Sequence, residues 1–192
     1  EKMKKIILTV FAATSLLIYS TPTLAFSLSV GVPIGHTYTG EVAAGSTQNE
    51  SDGSSGYFLG VQLPFAFGIG MDSYKTKIKG SNDIKYAVDI YNIFYQLPIP
   101  VVNLIIGLGT GNDNLECDAQ YVGGPSCSTA YKKGSATQWY TSIGLPIIPL
   151  FDIHLSYRSI TSKNIKEKND DGSETKLDLS SNVTGIGLAF NF

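Results

Sequence analysis

The sequence predicts an all-β fold: eight antiparallel strands wound up and down into a closed barrel. Three observations lead there. Apolar residues recur at every second position in segment after segment, glycine is plentiful at 20 of 192 residues, and no stretch past residue 25 shows helical apolar periodicity. The length suits one domain of ordinary size.

The first segment is set aside before strands are counted. In MKKIILTVFAATSLLIYSTPTLA, Lys4 and Lys5 precede an apolar run from Ile6 to Ile18, and the segment closes on Thr23, Leu24 and Ala25. A charged start, an apolar middle and a small-residue end are the layout of a cleavable signal peptide. The run is shorter than the roughly 20 apolar residues of a spanning helix. Residues 1–25 are therefore expected to be the signal peptide, with Met3 as the translation start, and 26–192 the mature barrel. Cleavage would remove Glu1, Lys2, Lys4 and Lys5 and move the net charge from −2 to −4. A mildly acidic chain without a basic stripe argues against nucleic acid as a partner.

The strands follow in order. FSLSVGVPIG alternates on Phe26, Leu28, Val30, Val32 and Ile34, and YFLGVQLPF on Tyr57, Leu59, Val61, Leu63 and Phe65. Less regular strands are expected over 68–79 and Ile84–Leu97; in the second, VDIYNIFYQL is apolar on both faces, which leaves its register open and allows a bulge. VVNLIIGLG alternates on Val102, Leu104, Ile106 and Leu108, and ATQWYTSIGLP on Trp139, Thr141, Ile143 and Leu145. FDIHLSYRS alternates on Phe151, Ile153, Leu155 and Tyr157, and the last strand, VTGIGLAFNF, on Ile186, Leu188, Phe190 and Phe192. Three connections, QLPFAFG, QLPIPVVN and GLPIIPLFD, share Leu-Pro near the bend, where a residue that cannot donate to a ladder is tolerated. The other four, within 41–56, 80–83, 111–135 and 162–176, are polar and mostly long. Short turns at one end and long loops at the other are what an up-and-down barrel requires.

Alternation alone does not say which face meets water, since a soluble lipid-carrying barrel and a membrane barrel both bury one apolar face. The opposite face does. It carries Ser27, Ser29, Gly31, Gly60, Gln62, Asn103, Gly107, Gly109, Ser142, Gly144, Gly185 and Gly187, joined by Gln138, Tyr140, Asp152, His154 and Arg158. A water-facing strand surface would favour Thr, Lys and Glu, whereas glycine there weakens the strand and packs nothing. Small residues suit the inside of a narrow barrel. The apolar face is then expected to point to lipid, with aromatic residues near the strand ends as interfacial girdles. Asp152, His154 and Arg158 form the expected polar cluster of the interior.

With these features the chain resembles the small eight-stranded outer-membrane β-barrels of Gram-negative bacteria. The signal peptide, the eight alternating segments, the turn and loop pattern and the aromatic ending GLAFNF carry the resemblance across 26–192. It implies an outer-membrane location and contact with membrane lipid. It also implies that Phe190 and Phe192 contribute the signal read by the barrel-assembly machinery. Such barrels include adhesins, structural proteins, narrow pores and lipid-modifying enzymes, so the fold does not choose among them.

Four smaller motifs remain. Cys117 and Cys127, in LECDAQYVGGPSCSTAY, are expected to form a local disulfide in an exported chain, worth roughly 3 kcal/mol by loop entropy. His154 and Ser156 share a strand face, a spacing also found in lipid A deacylase barrels. Here Tyr157 follows the serine where that family has Asn, the pair faces away from lipid, and no Glu stands on the adjoining strand to orient the imidazole. EKNDDGSETKLD echoes a calcium loop through Glu167, Asn169, Asp171, Gly172 and Asp178, but a glycine-containing hairpin tip accounts for it more simply. GLGTG lies at a strand's end with no helix after it, so it does not read as a nucleotide loop. No catalytic residue, metal or cofactor is expected. The expected role is structural or surface-interacting, with a surface ligand or host molecule for the polar loops, and the protein a monomer. The alternatives are a narrow channel, a soluble periplasmic lipid-binding barrel and a lipid-modifying esterase.

Overall fold

The computed structural model describes residues 26–40, 50–79, 84–97, 99, 102–117, 130–148, 150–168 and 172–192. The expected signal peptide and Cys127 lie outside the described residues. Barrel strands are β1 (Ser27–Tyr38), β2 (Ser51–Gln62), β3 (Phe67–Ile78), β4 (Ile84–Leu97) and β5 (Asn103–Cys117). A two-residue strand, β6 (Tyr131–Lys132), precedes the barrel strands β7 (Gly134–Ile148) and β8 (Phe151–Ser162). The short strands β9 (Ile165–Lys168) and β10 (Glu174–Leu177) come next, and β11 (Ser181–Asn191) completes the set.

Eight of these close a barrel in the order β1-β11-β8-β7-β5-β4-β3-β2. Every neighbouring pair is antiparallel, and β1 pairs with β11 along its whole length, from Ser27 opposite Asn191 to Tyr38 opposite Ser181. Closure leaves no sheet edge, which hydrocarbon would penalise by several kcal/mol per unpaired backbone group. β4 runs unbroken against both neighbours; the bulge allowed for it does not occur. Irregularities fall instead at Pro33/Gly35, Ser51/Ser54 and Pro146/Ile148. Two of the three contain a proline, whose missing N–H suits a break in the ladder. At the short-turn end, Phe65, Ala66 and Leu150 hold positive φ (82°, 68° and 81°), strained for non-glycine residues. The Leu63 N–H bonds Phe67 O across the first of these bends at 2.7 Å.

The long-loop end differs from the sequence expectation. Segments read as polar loops carry β6, β9 and β10, a separate three-stranded sheet in the order β10-β9-β6. Ile165 is fully buried in the barrel's upper core, and Leu177 and Tyr131 pack against it. The opposite, outward side of that sheet is held by ion pairs of Glu174 with Lys132 and, at 2.8 Å, with Lys166.

The barrel wall is inverted relative to a water-soluble protein. Ile93, Leu108 and Leu155 are 68%, 62% and 59% exposed, as are their counterparts all around the outside. A soluble monomer exposes apolar patches of only a few hundred Å², so this continuous belt needs lipid as its cover. The soluble-carrier alternative, which requires the apolar face inside, does not fit this wall.

Candidate functional site

Among the described residues, it is the inside of the barrel where the fold brings polar side chains together out of water, and alternation places them there. On β8, Asp152, His154, Ser156 and Arg158 are all buried, while Phe151, Ile153, Leu155 and Tyr157 face out. The interior polar groups form three tiers along the barrel axis.

The middle tier is built on Arg158, 5% exposed, and Asp72 of β3, 1% exposed. Arg158 Nε donates to Asp72 Oδ2 at 2.9 Å, and Nη1 donates to Ser156 Oγ at 2.5 Å. Gln138 Nε2 donates to the same Asp72 oxygen at 2.6 Å and to Asn92 Oδ1 at 2.9 Å. The guanidinium carbon lies 3.5 Å from the centre of the Phe58 ring and 5.0 Å from that of Tyr140. A charge taken out of water is tolerated only with such a partner set: a carboxylate, further hydrogen bonds and aromatic faces.

Toward the short turns, Asp152 Oδ2 accepts hydrogen bonds from Asn191 Nδ2 at 2.9 Å and from Asn103 Nδ2, whose own oxygen accepts from Gln96 at 2.7 Å. Between these tiers, His154 Nδ1 and Ser142 Oγ share a hydrogen bond of 3.1 Å. Toward the long loops, Asp113 accepts from the Tyr86 hydroxyl at 3.1 Å and from Ser162 Oγ, among the buried rings of Tyr38 and Tyr74.

The expected cluster is thus present but divided. Asp152, His154 and Arg158 share one buried face. Arg158 is neutralised by Asp72, not by Asp152, and His154 Nε2 stands 4.0 Å from Asp152 Oδ2. Sequence reasoning missed Asp72, Asn92, Phe58, Tyr86 and Asp113. For Asp72 a signal existed, because it stands in GIGMDSYK on the same alternating set as Gly68 and Gly70. For Asp113 none did, since its segment read as loop.

Glycines on the inner face make room for the rings. A Cβ on Gly68 would run into Phe94, one on Gly107 into Tyr140, and one on Gly185 into Phe58. The rings fill what the glycines leave, and the cavity beside Arg158 is about 50 Å³, lined by Asp72, Phe58, Phe94, Tyr140, His154 and Ser29. That space admits a few waters.

The geometry at Ser156 is not that of an activated nucleophile. Its oxygen accepts from Arg158 and its hydroxyl donates to Gly185 O at 3.3 Å, while His154 is engaged with Ser142. The calcium-like segment is a hairpin: β9 and β10 pair from Lys168 opposite Glu174, Gly172 takes φ 82° at the tip, and Glu167 accepts from the Tyr131 hydroxyl. Asn169 and Asp171 lie outside the described residues. Asp178 Oδ1 accepts the Ser180 N–H at 3.0 Å. GLGTG lies inside β5.

Phe190 and Phe192 face outward at the seam. Phe151, Phe190, Phe192 and Phe26 form a run of ring contacts with centroid distances of 5.0, 5.4 and 6.2 Å. Backbone bonds between Phe26 and Phe192 extend the β1–β11 ladder by one pair.

No family model and no curated protein matches the chain. Solved structures do. Neisserial surface protein A aligns over 88% of this chain and 98% of its own, at 14% identity and a TM-score of 0.63. Outer membrane protein AlkL, solved in lipid bilayers, aligns over 90% and 92% at 8% identity and a TM-score of 0.53. The N-terminal β-barrel domain of Pseudomonas aeruginosa OprF aligns over 90% and 100% at 10% identity and a TM-score of 0.52. At such identities the likeness is one of fold: a closed, eight-stranded outer-membrane barrel.

Proposed function

We propose that this outer-membrane β-barrel is a sealed, non-enzymatic anchor that presents its long-loop end at the cell surface. One observation carries the reading: the Asp72–Arg158 pair, held between Phe58 and Tyr140, fills the barrel's middle and leaves a cavity of only about 50 Å³ there. Eight strands enclose a lumen just wide enough for side chains, so no conduit runs past this pair. The engaged state of Ser156 and His154 supports the non-enzymatic reading. Support for a surface role comes from the added β10-β9-β6 sheet, which extends polar, charged structure beyond the lipid belt, where recognition usually resides. Neisserial surface protein A is a surface protein by name, and the same assignment is proposed here.

Planar-bilayer recording tests the seal. Reconstituted protein is expected to leave the bilayer silent, and discrete conductance steps would replace the anchor with a narrow channel.

A further inference from the structure

The barrel's mouth at the short-turn end holds a further cavity, below the Asp72–Arg158 pair. It measures about 510 Å³, within the range of about 300–1,000 Å³ usual for small-molecule sites. Val102, Ile147 and Leu150, from two of the proline-bearing bends, make its apolar wall, and Asn103, Asp152 and Asn191 its polar one. The Asn191 N–H donates to Leu150 O at 2.8 Å, which fixes the two walls to each other.

Asp152 is 3% exposed, and its Oδ2 accepts from the amides of Asn103 and Asn191, both neutral. Cationic side chains are elsewhere. Every lysine past residue 25 stands at the long-loop end of its strand or in the connections there, and the only arginine, Arg158, is bound to Asp72. A buried carboxylate left to neutral donors keeps much of its desolvation cost.

His154 supplies an independent observation. It is 8% exposed, its Nδ1 shares a hydrogen bond with Ser142 Oγ, and its Nε2 is buried with no hydrogen-bond partner among the described residues. Nε2 stands 4.0 Å from Asp152 Oδ2, too far for a direct bond and suited to a bridging one. A donor nitrogen about 2.8 Å from both atoms would see them about 90° apart, near the tetrahedral spread of two ammonium N–H bonds. Gly144 leaves the room: a Cβ there would meet Nε2 at 2.6 Å and Asn103 Cβ at 3.1 Å.

We propose that this mouth binds a primary ammonium ion carried on a short apolar stem. An ammonium has three N–H donors and one positive charge. Asp152 supplies the counter-charge and the first acceptor. His154 Nε2 is the second, with the ring proton on Nδ1 and donated to Ser142. The third is the remaining lone pair of Asn103 Oδ1, whose other one accepts from Gln96. The stem lies against Val102, Ile147 and Leu150. A hydrated metal ion fits less well, because the amide N–H groups on Oδ2 turn their positive ends toward it and the apolar wall offers no oxygen.

The test uses the full chain folded into phosphatidylcholine micelles. The side-chain amide resonances of Asn103 and Asn191 are followed by proton–nitrogen NMR as n-butylammonium chloride is added. Both are expected to shift and saturate. They should stay in place with n-butanol, which keeps the stem without the charge, and with sodium chloride. Asp152→Asn should bind n-butylammonium at least about 10-fold more weakly, the value of one lost hydrogen bond to a charged group. Equal shifts with n-butanol, shifts that never saturate, or equal affinity in Asp152→Asn would overturn the site. The first two outcomes need only the wild type, so they decide the matter even if the variant does not fold. A capped lysine, Nα-acetyl-lysine methylamide, separates two sources of the same ammonium. Tighter binding than n-butylammonium supports the site as one for a lysine side chain of another chain, and binding no tighter supports it as one for a free amine.

Discussion

Removing Arg158 should leave a buried carboxylate without its counter-charge. In Arg158→Met the aliphatic stem is largely kept, so packing changes little, while Asp72, 1% exposed, retains only the Gln138 donor. Breaking a buried pair from one side costs about 3–5 kcal/mol. The lost guanidinium stacking on Phe58 at 3.5 Å adds up to about 2 kcal/mol for a desolvated cation over a ring. The expected destabilisation is therefore about 3–7 kcal/mol, large against the stability of most domains. Urea unfolding in micelles, followed by Trp139 fluorescence and by the gel mobility shift of the folded barrel, would measure it. The double variant Asp72→Leu/Arg158→Met should recover most of the loss, because no unpaired charge remains. A loss below about 1 kcal/mol in the single variant, typical of an exposed pair, would refute the buried-pair reasoning.

Four further outcomes are expected. Gly107→Ala should cost about 1–3 kcal/mol by overpacking against Tyr140, and Tyr140→Leu should relieve it in a double-mutant cycle. Hydrogen bonds from Lys132 and Lys166 hold the Glu174 carboxyl at about 2, below its ordinary 4.5. A lowered carboxylate pKa gives stability that is complete above pH 4.5 and fades as pH falls toward 2, so the protection factors of the β10 amides, with the intrinsic pH dependence of exchange divided out, should fall across that window and stay flat from pH 5 to 7. Oxidised protein should show no titratable thiol until it is unfolded and reduced, since Cys117 is expected to pair with Cys127; two free thiols would remove that staple. Phe192→Ala should slow assembly into the membrane, read by pulse-chase of the folded gel band, more than it lowers the unfolding midpoint; an unchanged rate would separate Phe192 from assembly.

Alternation made the barrel wall legible because lipid and lumen impose opposite demands on successive side chains. The strand over Phe151–Tyr157 shows this most clearly, and its interior set could be named from the sequence. The strand Ile84–Leu97 could not be assigned a face, since Tyr86, Val88, Ile90 and Phe94 point inward while Tyr91, Ile93 and Tyr95 point outward. A narrow lumen lined by rings is nearly as apolar as the lipid side, so hydropathy has no contrast to report. Partners across the lumen were hidden for a different reason. Period two fixes the face of Arg158 but not which residue meets it, and Asp72 lies 86 positions away. The short strands β6, β9 and β10 escaped notice because they are charged and too brief to show a period.

The seam between β1 and β11 also sets the order of events in biogenesis. Ser27 cannot find its partner Asn191 until the chain has been made through the last strand, so the most distant contact in sequence completes the sheet. Until then two strand edges carry open backbone groups, tolerable in water but not in hydrocarbon. Such non-local pairing makes for slow folding, and an intermediate of this kind is prone to aggregate. Closing the seam is the step that ends the exposure of those edges, which makes its rate a target for selection separate from the stability of the finished fold.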